Sequence, residues 1–170
     1  FAPVVAVRWS FPEVPDRNVP PEQHDAEIAR LHDAVAAVLA QLAQLRDRTA
    51  VRAGPEEARI FDAQMMMVQD PTFLASVETL IRKNNLSAET AYEFKALELR
   101  NAWQGSRQAM LRDRLADLNA IQLRMLAHLL GRATDEAWLG EIDQQVVILA
   151  RELSPGLTVQ FDREHVVGFI

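Results

Sequence analysis

The sequence contains no cysteine, which excludes disulfides, thiolate metal sites and thiol catalysis. Only six of its 170 residues are glycine. Loops that cradle phosphate on successive backbone N–H groups are therefore not expected, and neither a G-x-G-x-x-G run nor a Walker loop occurs. The G-x-S-x-G and H-E-x-x-H signatures are missing as well. No run approaches the roughly 20 apolar residues of a membrane span, and no charged-then-apolar signal segment opens the chain. Positive charge is in deficit, with 18 lysines and arginines against 24 aspartates and glutamates, a net charge of −6. A nucleic-acid partner is not expected, because phosphate binding needs a concentrated basic surface. A basic protein, by contrast, would be steered toward this one. Carboxylate-bridged metal bundles use Glu-x-x-His pairs, and none of His24, His32, His128 and His165 has a glutamate three residues before it. No metal site is expected.

What is present suits a folded protein: 49% of residues are hydrophobic and 25% charged. The length allows one ordinary domain or two small pieces sharing a core. Residues 1–9 are short, apolar and valine-rich, as a buried strand should be. Pro12, Pro15, Pro20 and Pro21 then mark an extended linker. Phe1 is not a start methionine, and the far end stops within Val166-Val167-Gly168-Phe169-Ile170. The sequence therefore reads as a piece of a longer chain, cut through a strand at each end.

From about Glu22 to Ala133 the period is helical. Ile28, Leu31, Val35, Val38, Leu42 and Leu45 recur at spacings of 3 and 4, an unbroken seam suited to left-handed antiparallel packing. Burying each such side chain contributes on the order of 1.5–3 kcal/mol, against a few tenths for exposed-face pairs involving residues such as Glu27. Leu111, Leu115, Leu118, Met125 and Leu129 repeat the pattern in a later helix that stops at Gly131 after His128. The seam is expected to pack antiparallel against that helix. Ser87 is placed to cap a helix carrying Tyr92, Leu97 and Leu99 toward Gly105. After Gly140, Val146–Ala150 and Val166–Ile170 read as strands and Ser154-Pro155-Gly156 as a turn. Strands 1–9 and 144–150 are expected side by side in one sheet, with the helical bundle inserted between them.

The segment Glu56–Leu86 is the most specific in the chain. It reads as helix, kink, helix, with Asp70 as N-cap and Pro71 at the first position of the second helix. Three consecutive methionines, Met65-Met66-Met67, cannot all face one side. One or two belong to the core and at least one points outward, where methionine suits adaptable binding surfaces. Glu56 and Glu57 are explained as helix-start charges; Asp62, about two turns in, is available to a basic partner. His24 and His32 lie on the polar side of the first helix, His128 near a helix end and His165 at a strand entry. All four suit solvated or capping roles.

Ile60-Phe61-Asp62-Ala63-Gln64, continuing through Met65–Asp70 to Pro71, resembles the docking helix of enzyme I, the phosphoenolpyruvate-protein phosphotransferase of the bacterial sugar phosphotransferase system. Leu86-Ser87-Ala88-Glu89-Thr90-Ala91, Arg112–Leu118 with Leu129-Leu130-Gly131, and Leu153-Ser154-Pro155 with the two late strands are similar to further stretches of that family. The resemblance implies a mainly α fold, an antiparallel helical bundle over 19–135 inserted into a truncated α/β phosphohistidine (swivelling) subdomain made of 1–18 and 136–170. It implies a cytoplasmic, homodimeric parent enzyme. There phosphoenolpyruvate, with magnesium and a C-terminal barrel, phosphorylates a histidine that passes the group to the phosphocarrier HPr. The family's Gly-Gly-x-Thr-Ser-His type loop would begin a few residues after Ile170, so no catalytic residue and no cofactor are assigned within the chain. Carried over by position, the HPr-binding surface is Glu56, Asp62, Gln64, Met66, Met67, Asp70 and Glu93. Gln64 stands where family members often have histidine, and Pro71 and Thr72 where some have two carboxylates. The alternatives are a regulatory or linker helical module of another phosphoenolpyruvate-utilising protein, or an unrelated helical interaction domain.

Overall fold

A computed structural model of the chain describes residues 3–7, 10–132, 142, 144–150, 155–161 and 164–169. In order these form strand β1 (Val4–Val7), helices α1 (His24–Arg52), α2 (Pro55–Val68), α3 (Pro71–Asn84), α4 (Ala88–Gln104), α5 (Ala109–Asp113) and α6 (Leu115–Leu129), strand β2 (Val146–Ala150), the single-turn helix α7 (Pro155–Thr158) and strand β3 (Val166–Phe169).

Local chemistry sets the junctions. Gly54 adopts φ 111°, a region closed to side-chain-bearing residues, and Pro55 follows at the first position of α2. The chain reverses there, so α1 and α2 form an antiparallel hairpin. At the next junction the Phe73 N–H donates to Asp70 Oδ1 at 2.8 Å, which makes Asp70 the N-cap ahead of Pro71. Asn85 ends α3 in the left-handed region at φ 54°, and Ser87 Oγ accepts from the Thr90 N–H to start α4. At the end of α6, Gly131 takes φ 63° and Arg132 N–H returns to Ala127 O at 2.8 Å, closing the helix in the manner of a Schellman turn.

The α1 seam is buried as its spacing requires: Leu31, Val38 and Leu42 are fully buried, Val35 and Leu45 nearly so, and Ile28 packs at the margin. Against them stand Phe61, Val77, Ile81, Ile121 and Met125. The expected pairing of α1 with the last long helix is present and antiparallel, since Arg30 near the start of α1 donates to Leu129 O at the end of α6 at 2.7 Å. Its more extensive partner is α2. The helix expected from Leu111 to Leu129 is in fact two, broken at Arg114. No residue of α5 is fully buried, so little core packing holds its leucine in register with α6.

Glu27 also corrects its sequence reading. It is 4% exposed and sits in a cluster with Glu89, Arg17 and Arg30. Arg30 donates to both Glu27 oxygens and to Glu89, and Arg17 bridges the same two carboxylates. Burial pushes the Glu27 carboxyl up, but hydrogen bonds from the Ala88 N–H, Arg17 and Arg30 outweigh it and hold the group below its ordinary value. Through Arg17 and Val19, whose N–H donates to Asn85 O, the proline-rich linker is fastened to the bundle. His24 is likewise buried, not on a polar face; its Nε2 lies 2.9 Å from Asn85 Oδ1.

The three strands form one parallel sheet in the order β1-β2-β3, with Val4 opposite Val147 and Val146 opposite Val166. The expected adjacency of the two ends of the chain is present. Val146, Ile148, Leu157, Phe161 and Val166 make a second, small core. Pro155-Gly156, expected in a turn, opens α7; Ser154 and the expected unit boundary at 135–136 lie outside the described residues.

Candidate interaction site

The elbow at Asp70-Pro71 turns α3 away from the line of α2. α3 packs on α4, where Phe73 and Tyr92 meet edge to face at 5.3 Å between ring centroids. Because α4 also packs on α6, a groove is left between the end of α2, the start of α3, and α4. Its volume is about 660 Å³, and Met67, Phe73, Leu99, Trp103, Leu118 and Ile121 make most of its lining apolar. Asp70 and Thr72 stand on one rim, and the Lys95–Glu98 ion pair, 2.7 Å long, on the other. Tyr92 forms part of the wall and is buried; desolvation pushes its hydroxyl above its ordinary value, so it stays neutral.

Beside the groove, the outward face of α2 carries Asp62 and Met66. Met66 is 71% exposed, whereas Met65 and Met67 pack against the core. This is the division that three consecutive methionines on a helix impose. Asp62 lies 3.3 Å from Arg46 of α1, and Arg46, drawn first to Asp47 and then to Asp62, is held above its ordinary value.

Of the sequence-derived site residues, Asp62, Met66, Met67 and Asp70 are brought together along α2 and its elbow. Glu56 is exposed at the far end of α2, paired with Arg59 at 3.1 Å. Gln64 is not on this surface. It is 1% exposed, on the opposite side of α2, and its Nε2 donates to Asp117 Oδ1 at 3.0 Å. Glu93 is also apart, on the side of α4 that carries Arg100, turned away from the groove-lining Lys95 and Leu99. Arg100 there stacks over the Phe11 ring at 4.8 Å. Phe73 and Trp103 were not singled out from sequence, and Leu99 only as a residue of its helix. A tryptophan four residues after Leu99, on the same face of a helix, was the available signal.

A second hollow of about 780 Å³ separates the tip of the α1–α2 hairpin from the sheet and includes Arg52, Glu57, Thr158, Glu164 and Phe169 in its lining. Among the described residues, no group of three or more histidines, aspartates or glutamates is arranged to hold a metal ion, and no helix is long and apolar enough to cross a membrane.

The family description "PEP-utilising enzyme, N-terminal" matches residues 1–114. The chain is 34% identical over 154 residues to a phosphoenolpyruvate-protein phosphotransferase of Enterococcus faecalis, covering 88% of this chain and 26% of that protein. To the Geobacillus stearothermophilus protein of the same name it is 33% identical over 145 residues, covering 85% and 25%. The chain thus spans about a quarter of the length of these relatives. Its fold is similar to the solution structure of Enzyme I (nEIt), with a TM-score of 0.78 at 24% identity over 92% of this chain and 62% of that one. It is also similar to the N-terminal domain of Enzyme 1 - Nitrogen, with a TM-score of 0.69 at 20% identity over 99% and 67%.

Proposed function

The chain belongs to the family of PEP-utilising enzymes, as their N-terminal region, and from that premise we propose that it docks the phosphocarrier HPr within a phosphoenolpyruvate-protein phosphotransferase. In this reading the helical unit, from about residue 19 to 135, is the docking body. Residues 1–18 and 136–170 belong to the α/β subdomain that carries the phosphorylated histidine farther along the parent polypeptide. Phosphoenolpyruvate and magnesium act in a separate barrel of that parent, which works as a cytoplasmic homodimer. The phosphoryl group passes from the histidine to the carrier held on α2.

The observation that carries the reading is the exposed Met66 beside an apolar groove with a charged rim. An apolar centre ringed by charge is the usual anatomy of a moderate-affinity protein interface. A flexible methionine at its centre adapts to the partner's surface. Asp62 and Asp70 supply negative charge at the edge, complementary to a basic-faced carrier. No chemistry is required of the docking residues; their part is to hold the carrier's acceptor group at a fixed place.

The test is titration of the chain with the HPr of its own organism at low and high salt. Asp62→Lys is expected mainly to slow association and to flatten its salt dependence. Met66→Asp or Met67→Asp, by placing an unpaired carboxylate at the centre of the interface, is expected to cost at least ~2 kcal/mol of binding. Absence of binding, or binding that neither methionine substitution weakens, would replace this reading with that of a linker module.

A further inference from the structure

Gln64 lies behind α2, on the side away from Met66. Its Nε2 is committed to Asp117, while its Oε1 is buried without a hydrogen-bond partner. Turning the amide over would not cure this, because a carboxylate can only accept. A buried acceptor left unpaired lowers stability, so stability alone does not account for the side chain. On its other side it meets α7. A Cβ placed on Gly156 would fall 3.1 Å from Gln64 Nε2 and 3.6 Å from Phe61 Cε1. The Gly156 backbone therefore comes so close to the Gln64 amide that a larger residue would have to push it by a few tenths of an ångström, against its bond to Asp117.

The same turn is held at other points. Gln160 Nε2 donates to Gly156 O at 2.7 Å, and Arg52 at the end of α1 donates to Gln160 O at 3.3 Å. Val159 packs against the helical core, while Leu157 and Phe161 close the core beneath the strands. The turn is thus shared between both cores.

We propose that Gln64 and Gly156 form the seat that fixes the orientation of the sheet on the helical bundle, with Gln64 acting as a positioning residue. For its use the inference rests on the docking reading: α2 carries the docking face on its front and the seat on its back. A partner held at Met66 therefore stands at a set distance from the end of β3. Gly156 serves not through a backbone angle but through its missing side chain, which lets α7 approach the Gln64 amide.

Because the chain has no cysteine, a pair of spin labels can be placed at Ala36→Cys in α1 and Gln145→Cys ahead of β2, both exposed positions. Gly156→Val is expected to shift and broaden the interspin distance distribution, and Gly156→Val with Gln64→Ala to restore it by making room. Carrier affinity in the same proteins should stay within about twofold, since the docking face is untouched. Unchanged distances in Gly156→Val would overturn the seat, whatever the binding. Failure of every form to bind HPr would overturn the docking reading and leave the seat standing. Should Gly156→Val release the sheet altogether, Gln64→Ala alone decides: amide exchange at Leu157–Phe161 should rise at least about tenfold with Val77 and Ile81 unchanged, and no rise would refute the proposal.

Discussion

Among the described residues, eighteen buried side chains form the continuous core of the helical unit, and five form the core beneath the sheet. The helices are also capped at their junctions by Asp70 and Ser87 and cross-linked by the Glu27–Glu89–Arg17–Arg30 cluster. The strands are four or five residues long, and Val4, Leu149 and Val167 remain exposed on them. Parallel sheets are ordinarily covered on both faces. The bundle therefore carries its own stability, whereas the strands depend on it through α7. The proposed docking surface lies on the former, where a rigid element would hold side chains in place at little further entropic cost.

The comparison is broken most forcefully from the helical side. Leu42→Ala, in the fully buried centre of the α1 seam, is expected to cost about 3–4 kcal/mol and to unfold helices and strands together in a thermal melt followed by circular dichroism. Persistence of the strands after the helices melt would reverse the dependence argued above.

Next in size is Glu27→Gln, which leaves two arginines, each more than a third exposed, facing one carboxylate and should cost roughly 2 kcal/mol. Its pH behaviour sharpens the point. Glu27 is held below its ordinary value in the fold, so its contribution is complete above the unfolded value near 4.5. It is lost as pH falls through the lower folded value. The wild-type chain should therefore lose stability below about pH 4.5 more steeply than Glu27→Gln in urea melts. Parallel acid profiles would remove Glu27 as a cause.

Ile148→Ala, in the small core, should cost about 2 kcal/mol but locally. Hydrogen exchange would accelerate in Val146–Ala150 and not in Leu31–Leu45. Equal acceleration in both would mean the two units are one cooperative body. The smallest effect is expected from Asp70→Ala, about 1 kcal/mol for a lost N-cap, read as fraying at Pro71–Phe73.

The parts of this molecule legible in its sequence are those that local or periodic chemistry sets. The seam from Ile28 to Leu45, the Asp70-Pro71 elbow, the Ser87 cap and the division of the three methionines all follow from spacing or from neighbours within four residues. Gln64, His24 and Glu27 were misplaced for one reason: each is a polar residue on a helix whose partner lies far along the chain. Asp117, Asn85 and the Ala88 N–H respectively are brought to them only by tertiary packing. The break at Arg114 escaped notice because the leucine spacing continues through it, while the packing surface does not. The groove beside Met67 is a property of four helices at once, and no single segment carries its signature.

In the proposed function a phosphocarrier is held on the outer face of α2 and in the adjoining groove. The most direct test is a titration of the isotopically labelled chain with HPr, followed by backbone amide chemical shifts. The largest perturbations are expected at Asp62, Met66, Met67, Asp70, Phe73 and Trp103, with the amides of β1 and β2 hardly moved. Perturbations centred on the strands, or on the Glu93 and Arg100 side of α4, would contradict it.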